Sequence, residues 1–491
     1  MITSRLASAN FIKKYSSLYE FFIKGEGYWR LSDAIASGLA LVSSFLVLSL
    51  LSVHEFGLYQ LVLAFIGLVG GFIVIDSFDG IVAVEMRHYL NSKRADLAEG
   101  ILREYACVKV LVVTIVTAAI FFASDLIAGR YGADISLFVK IASLFLIIDT
   151  LQSLANIFLK VIFSFVYFFG STVREIVKLV FLLGWMFRGE VGIATILMLN
   201  IFGWAAALIF TLGYFLKFYR AAFKPPQEFD LDGQYFSIPA YKQREWYKIK
   251  LLLNVLKKHG FWTMGRYLFS KATKNTTPWL IKFFINTEAV AIYALAINLI
   301  DFVEKFFPMN MLGWIMMLKI NKKEELNRIF SKAVKYVVYW GVALGFLSMM
   351  FVPFLIRWIL PKYESALPLF KFMILALPIF GFYKVMKAQL LVLREYKILA
   401  LRIVFESMVM VGILVALLPV IGLIGAAVAY VGVYITRVLF SYPALIRSHP
   451  YLRLSFKELA RFDKSDKEFL VRFWQQLISI VGSYWTRLRF K

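Results

Sequence analysis

The sequence predicts an all-α integral membrane protein with twelve transmembrane helices in two six-helix lobes. Of 491 residues, 60% are hydrophobic and 18% are charged, and the mean hydropathy is +0.73, whereas soluble domains are usually about half apolar and about one quarter charged. Apolar segments of roughly 18–27 residues recur, and each is long enough to cross a hydrocarbon core about 30 Å thick. Basic residues, in addition, concentrate in alternate connections. Together these features exclude an ordinary soluble protein.

The twelve predicted spans follow one another with mostly short connections. They are residues 31–53, 58–84, 105–124, 136–159, 170–187, 191–216, 260–284, 290–318, 334–355, 367–393, 400–418 and 422–443. The connections on one side of the membrane contain only Arg130, Arg188, Arg357 and Lys362 as Lys or Arg. Because cytoplasmic connections collect Lys and Arg, this bias predicts a multi-pass protein of the cytoplasmic (inner) membrane with both termini in the cytoplasm.

The spans divide into two halves. We expect a cytoplasmic amphipathic lead-in (1–30), an N-terminal lobe (31–216), a basic cytoplasmic linker (217–259), a C-terminal lobe (260–443) and a basic amphipathic tail (444–491). Three matches at nearly one offset indicate a duplicated unit: Tyr59 with Tyr293, Glu175 with Glu406, and Gly192 with Gly422. Since each half has an even number of spans, we expect a pseudo-twofold axis along the membrane normal. The apolar stripe of the tail indicates an interfacial helix or one packed on the protein itself.

The net charge of +24 would suggest nucleic-acid binding in a soluble chain, but basic cytoplasmic connections account for it here, and we expect no nucleic-acid partner. The single cysteine, Cys107, cannot form an internal disulfide, and the four histidines are scattered. We therefore expect no metal site and no cofactor.

The seventh predicted span carries unusual charge. Lys271 and Lys274 fall near its centre, and Arg266 lies on the same side of the helix. A charge at this depth costs at least about 2.5–3.5 kcal/mol, so these residues predict a hydrated cavity. Pro278 predicts a kink beside it. The alternative is that the lysines pair with acids of neighbouring spans, such as Asp149, and hold the helices together.

Other charged residues also fall within predicted spans. Arg174, Glu175 and Lys178 form a mixed cluster in the fifth span, where a solvated role and a packing role are equally open. Asp76 and Asp79 in the second span are candidates for binding a cation or proton, or for pairing with Arg87. Glu175 and Glu406 are further candidates for coupling to H⁺ or Na⁺, although Arg402, four residues before Glu406, would form an intrahelical ion pair with it.

The excess of basic residues within the spans favours an anionic cargo. The cargo must also need help to cross a bilayer. A polyisoprenoid pyrophosphate that carries a glycan meets both conditions, because its head group cannot cross hydrocarbon while its tail can stay in lipid.

Three segments carry a family resemblance: HEFGLYQLVLAFIGLVGG (54–71), NTEAVAIYALAINL (286–299) and PVIGLIGAAVAYVGVYITRVLF (419–440). The sequence resembles the multidrug/oligosaccharidyl-lipid/polysaccharide exporter superfamily, and more closely its polysaccharide transporters, the O-antigen (Wzx-type) flippases. The resemblance implies a transporter that works by alternating access, with a cationic lumen for the phosphates of a lipid-linked oligosaccharide. It makes Arg266, Lys271 and Lys274 the first candidates for pyrophosphate binding, followed by Arg174 and Lys178. A polysaccharide polymerase and its assembly machinery are candidate partners beside membrane lipids.

Two other functions stay open. A cation-coupled drug or organic-cation antiporter of the same superfamily predicts a lumen dominated by acids and aromatic residues. A membrane glycosyltransferase or ligase needs a catalytic surface outside the bilayer, and the predicted outer connections are short. The pair Asp230 and Asp232 is ordinary in a polar loop, and no catalytic residue is predicted.

Overall fold

The computed structural model describes most of the hydrophobic part of the chain. The residues that the structure describes are 32–92, 94–131, 134–162, 165–189, 191–222, 229–231, 234–236, 250–307, 323–393 and 395–454. The predicted lead-in and the stripe of the predicted tail lie outside these residues.

The described residues are almost entirely helical. The helices are α1 (Ser32–Leu50), α2 (Val53–Phe72), α3 (Asp79–Asn91), α4 (Ala95–Tyr131), α5 (Asp134–Val161), α6 (Phe169–Met186), α7 (Ile193–Ala222), α8 (Lys250–Phe284), α9 (Thr287–Glu304), α10 (Lys323–Ile359), α11 (Ala366–Met373), α12 (Leu377–Val392), α13 (Tyr396–Ile421) and α14 (Leu423–Ser448). Short 3₁₀ helices cover Val74–Phe78, Phe165–Phe168, Pro361–Tyr363 and Ile374–Ala376. In the linker, β1 (Phe229–Leu231) pairs antiparallel with β2 (Gln234–Phe236), with Asp230 opposite Tyr235.

Within the described ranges, nine helical segments are long and apolar enough to cross a membrane, α11 and α12 together forming one of them. The other three predicted spans overlap α6, α8 and α9, which are richer in charged residues, so the count of twelve stays a prediction. Helix α9 ends at Glu304, short of the predicted end of its span at residue 318, and residues 308–318 lie outside the described part of the chain. Large apolar side chains cover the outer surface of the helices: Phe122 is 80% exposed and Trp358 is 75% exposed. Such a surface suits lipid rather than water, and the chain is a multi-pass membrane protein.

The second predicted span, 58–84, is not one continuous helix. Helix α2 ends at Phe72, where the N–H of Ile73 donates to the carbonyl of Gly70, and a 3₁₀ segment then leads to α3 at Asp79. Paired glycines weaken a helix, and the polar residues that follow have side chains that compete for the backbone. The break places Asp76 and Asp79 in and beside irregular backbone, which a membrane protein tolerates only where it is packed in protein or lines a cavity.

Helix α8 also differs from its prediction. It begins at Lys250, within the predicted linker, and it continues through Pro278 to Phe284. Leu252 near its start is buried, and its backbone N–H donates to the Glu104 carboxylate over 3.0 Å. This contact ties the beginning of α8 to α4.

The described chain forms two compact units. The first contains the described residues up to Leu299 together with Phe351–Phe372 and Ile403–Ala429, and the second contains Ile300–Met350, Met373–Arg402 and the described residues from Tyr430. Every charged residue predicted to bind cargo or a coupling ion belongs to the first unit. The predicted division into lobes at 217–259 follows a different boundary and stays a prediction.

Glycines bring α2 close to α8 in the first unit. A Cβ on Gly71 would lie 2.8 Å from the Cβ of Lys271, and one on Gly67 would lie 2.5 Å from the Asn275 amide oxygen. Gly67 and Gly71 are four residues apart and therefore share one helix face, as in membrane helices that pack through small residues. Because these two glycines have no side chains, α8 packs directly on α2, and this packing sets the direction in which the lysines of α8 point.

In the second unit, an acidic side chain is held by aromatic residues. The hydroxyl of Tyr434 donates to the Glu304 carboxylate over 3.0 Å, and the Tyr434 ring lies under the Arg437 guanidinium at 4.3 Å. The ring of Phe380 packs edge-on against Tyr434. These contacts join α9, α12 and α14.

Connections predicted to lie on the outer side are joined by polar contacts within the first unit. His54 Nδ1 and Glu288 Oε1 share a hydrogen bond of 2.7 Å, which is the main reason that the pKa of Glu288 lies below its ordinary value. The ammonium of Lys362 donates to the Ser49 carbonyl over 2.9 Å, at the C-terminal end of α1 where free carbonyls favour a cation. Burial lowers the pKa of Lys362.

Residues paired by the proposed repeat have similar burial. Tyr59 and Tyr293 are 8% and 6% exposed, and Glu175 and Glu406 are 5% and 8% exposed. Gly422 adopts a left-handed φ of 60° in the turn between α13 and α14, whereas Gly192 does not adopt one. The duplication and the symmetry of the lobes stay predictions.

Candidate functional site

A polar cavity of about 680 Å³ lies within the first unit. Its walls come from α1 and from α3 to α8. The lining residues are Ser32, Asp33, Asp76, Asp79, Gly80, Ala83, Lys109, Asp149, Gln152, Ser153, Asn156, Ile157, Lys160, Tyr167, Phe168, Ser171, Arg174, Trp204 and Tyr267. A cavity of this size is within the range of about 300–1,000 Å³ that is typical of small-molecule sites.

Asp79 is held by three donors at one end of this cavity. The ammonium of Lys109 lies 2.7 Å from Asp79 Oδ1, and the hydroxyls of Tyr105 and Ser153 also donate to the carboxylate. Lys109 itself is 1% exposed, and its nitrogen lies 3.0 Å from Asp76 Oδ1. Lys109, which forms salt bridges with both predicted acids, is therefore a residue of α4. With three donors engaged, Asp79 is tied into the protein's own polar network.

Tyr267 connects this network to α8. Its hydroxyl lies 3.4 Å from Asp76 Oδ2, a long hydrogen bond. The ammonium of Lys271 lies 5.6 Å from the centre of the Tyr267 ring, within the range of a cation–π contact. The polar cavity and Lys271 are thus adjacent.

Lys271 and Lys274 are both exposed on α8. Neither forms a salt bridge with any residue that the structure describes. Asp149, the acid considered as their partner, lines the cavity and lies near enough to Lys271 for an electrostatic interaction. Arg266 belongs to the same helix, but its side chain lies outside the described part of the chain. Two lysines in mid-helix are therefore accessible to an external anion.

Arg174 and Lys178 lie one turn apart on α6. Arg174 Nε donates to Glu175 Oε1 over 2.8 Å, and its guanidinium stacks on the Trp204 ring at 4.6 Å. Lys178 is half-buried and has no salt bridge to the described residues. Gly203 on α7 allows this approach, because a Cβ there would lie 2.9 Å from the Arg174 carbonyl oxygen. Only Arg174 of this pair lines the cavity.

Glu406 is buried on α13, away from the lining of the cavity. The next residue, Ser407, accepts a hydrogen bond of 2.5 Å from Thr273 on α8. Ser407 thus places Glu406 close to the helix of the lysines, whereas Asp76 and Asp79 line the cavity.

Sequence reasoning missed a polar stripe along α5. It consists of Asp149, Gln152, Ser153, Asn156 and Lys160, spaced as on one face of a helix. A stripe of this kind within an apolar span is a signal that the sequence alone contains. Among the described residues, no group of three or more His, Cys, Asp and Glu is arranged to hold a metal ion.

Solved structures with the same fold are membrane transporters. An inward-facing multidrug resistance MATE family transporter of the MOP superfamily aligns with a TM-score of 0.66 and 11% identity, over 84% of this chain and 95% of that one. The lipid II flippase MurJ, in an inward closed conformation, aligns with a TM-score of 0.62 and 16% identity, over 94% and 99%. The MATE multidrug transporter DinF-BH gives a TM-score of 0.59 and 12% identity, over 87% and 97%. At these identities the likeness shows the fold.

The sequence itself matches the family model described as polysaccharide biosynthesis protein, over residues 22–311. No curated protein matches the sequence. The matched region includes α1 to α9, and it therefore contains the residues that line the cavity as well as Lys271 and Lys274. The three structural neighbours named above are two multidrug transporters and a lipid flippase. The chain therefore belongs to the polysaccharide biosynthesis protein family and has the fold of MOP-superfamily transporters.

Proposed function

We propose that this protein is a flippase that moves a polyisoprenoid-pyrophosphate-linked oligosaccharide from the cytoplasmic leaflet to the outer leaflet. The observation that carries the proposal is the pair Lys271 and Lys274, exposed in mid-helix and without a salt bridge among the described residues. Unpaired ammonium groups at this depth are costly unless they meet water or an anion. In a family named for polysaccharide biosynthesis, a lipid-linked pyrophosphate is an anion that needs transport.

The proposed mechanism is alternating access. The pyrophosphate is attracted from the cytoplasmic side by Lys271 and Lys274, with Arg266, Arg174 and Lys178 as further candidates. Electrostatic attraction in a cavity of lower dielectric is stronger than in bulk water, so a few bases suffice. The head group is released on the outer side, while the polyisoprenoid tail remains in lipid. The name of the neighbour MurJ, a lipid II flippase, supports this class of cargo.

We also propose coupling of this movement to H⁺ or Na⁺. The candidates are Asp76, Asp79, Glu175 and Glu406. The contacts favour Glu175, because one carboxylate oxygen binds Arg174 while the other, Oε2, is buried without a hydrogen-bond partner among the described residues. Asp79 is less suited, since three of the protein's own donors already bind it.

The proposal includes a location. The distribution of Lys and Arg supports the cytoplasmic membrane, with both termini on the cytoplasmic side. A protein that delivers glycan units there would work beside a polymerase and its assembly machinery.

One observation favours the organic-cation antiporter as a second candidate. The cavity is lined by Asp33, Asp76, Asp79 and Asp149 and by aromatic rings, as an organic cation requires. However, Lys109 lies between Asp76 and Asp79, and two more bases line the same walls. The lining therefore carries four acids against three bases, which leaves little surplus negative charge.

Transport by the purified protein distinguishes the two candidates. Proteoliposomes are loaded either with a fluorescent polyprenyl-pyrophosphate oligosaccharide in one leaflet or with a cationic rhodamine dye in the lumen. The flippase account predicts protein-dependent movement of the lipid-linked probe and no coupled dye movement. Dye transport without movement of the lipid-linked probe would establish the antiporter.

A further inference from the structure

The polar stripe on α5 has hydrogen-bonding capacity that the protein does not use. Gln152 is 7% exposed and lines the cavity, and its side-chain oxygen has no hydrogen-bond partner among the described residues. Asn156, one turn further along, also lines the cavity with an unpartnered side-chain oxygen. Burying such an acceptor without a donor costs about 1–3 kcal/mol. Two of them on one wall indicate that a ligand supplies the donors.

The charges on this wall are largely compensated. Lys109 binds Asp79 and Asp76 and lies 3.1 Å from the Ser153 hydroxyl, so its three donors are occupied. Asp149 is exposed and forms no salt bridge with the described residues. The wall thus presents neutral amide oxygens, one carboxylate and, one turn beyond Asn156, the ammonium of Lys160. This combination accepts hydrogen bonds from a neutral molecule better than it neutralises a small cation.

Other walls of the cavity contribute aromatic side chains. Trp204, Tyr167 and Tyr267 line the cavity from α7, from the segment before α6 and from α8. Aromatic rings offer apolar contact area at low entropic cost, and the two tyrosines also carry a hydroxyl. A ligand with hydroxyl groups along its edge and C–H groups on its faces is complementary to such walls. Sugars are the biological molecules with this pattern.

The position of the cavity adds a second argument, which rests on the proposed function. In a glycan linked through pyrophosphate, the first sugar is bonded directly to a phosphate. The sugar must therefore lie beside the phosphate site. Tyr267 lines the cavity and lies under the ammonium of Lys271, so the two sites adjoin.

We propose that this cavity is a sugar subsite, which binds the sugar residue attached to the pyrophosphate through hydroxyl donation to Gln152, Asn156 and Asp149. Lys109 has a positioning role, because it holds Asp76 and Asp79 at the end of the cavity. The bases on α8 take the phosphates, and the walls of the first unit take the sugar.

Binding of matched probes to the purified protein in nanodiscs tests this subsite. The probes are polyprenyl pyrophosphate and the same lipid bearing one glucose, galactose or N-acetylglucosamine. Wild type is expected to bind at least one glycosylated probe about tenfold more tightly than bare pyrophosphate, as one or two added hydrogen bonds provide. Gln152→Ala/Asn156→Ala should lose this preference and keep its affinity for bare pyrophosphate. Gln389→Ala, a buried amide with no hydrogen-bond partner among the described residues, is the control and should behave as wild type.

Three results would overturn the subsite. These are equal binding of all probes by wild type, an unchanged preference in the double variant, or equal weakening of bare and glycosylated probes. Binding of ²²Na⁺ that is lost in the double variant, with sugar preference intact, would make the cavity a cation site instead.

If wild type binds neither the bare nor the glycosylated probe, both the proposed function and the sugar subsite fail. If bare pyrophosphate binds without any sugar preference, the subsite alone fails. Size-exclusion profiles and thermal unfolding confirm that each variant is folded.

Discussion

The ammonium of Lys109, on α4, lies 2.7 Å from Asp79 at the start of α3 and 3.0 Å from Asp76 in the break between α2 and α3. This buried base determines what the acidic residues of the cavity can do. It compensates two carboxylates that would otherwise attract a cation, and it links α4 to the 3₁₀ segment Val74–Phe78 and to the start of α3. The cavity is therefore polar without a large charge of either sign.

Lys109→Ala should destabilise the protein. Removing one partner of a buried ion cluster leaves uncompensated charge, which typically costs about 3–5 kcal/mol. Thermal unfolding in detergent measures the effect, and Lys109→Ala/Asp79→Asn should regain part of the loss. Lys371→Ala is a suitable control, because Lys371 is exposed and has no salt bridge to the described residues. Wild-type stability of the Lys109→Ala protein would show that the cluster contributes little.

Gly57→Ala should weaken the packing of α2 against the start of α9. A Cβ at Gly57 would lie 2.2 Å from the carbonyl oxygen of Thr287, so the backbone must move, at a cost of about 1–3 kcal/mol. Gly38→Ala on α1 is the matched control, since nothing lies within 4 Å of its added Cβ. Alanine there should stabilise the helix by about 0.5–1 kcal/mol. Equal unfolding temperatures for both variants would refute the close approach.

The contact between His54 and Glu288 should depend on pH. Its hydrogen bond lowers the pKa of Glu288 below the ordinary 4.5. A lowered folded-state pKa means that the stabilisation is complete above 4.5 and is lost as the pH falls through the folded value. Both side chains are about half exposed, so the contribution is at most about 1 kcal/mol. Glu288→Gln should therefore unfold slightly below wild type at pH 6, and the difference should shrink as the pH falls below 4.5. A constant difference across this range would argue against the titration.

The sequence was sufficient to predict the helices but not to predict which residues of different helices contact one another. Apolar length predicted helices at all twelve positions, because a membrane requires every backbone group to be satisfied within a helix. The break at Ile73 was missed, since the apolar run continues across it. Lys109 was missed as the partner of Asp79 because the two are 30 residues apart in sequence and only the packing of α3 on α4 joins them. The stripe from Asp149 to Lys160 was also missed, although its helical spacing in the sequence was enough to predict it.

The most direct test of the account is transport of a polyprenyl-pyrophosphate oligosaccharide by Lys271→Ala/Lys274→Ala in proteoliposomes, measured beside wild type, Lys271→Arg/Lys274→Arg and Lys371→Ala. The account predicts that the alanine variant inserts and unfolds as wild type does but loses at least about tenfold in transport, roughly 1.4 kcal/mol. The arginine variant should retain part of the activity because it keeps the charge, and Lys371→Ala should transport normally. Full transport by the alanine variant, or a loss explained by unfolding, would contradict the assignment of these lysines to the pyrophosphate.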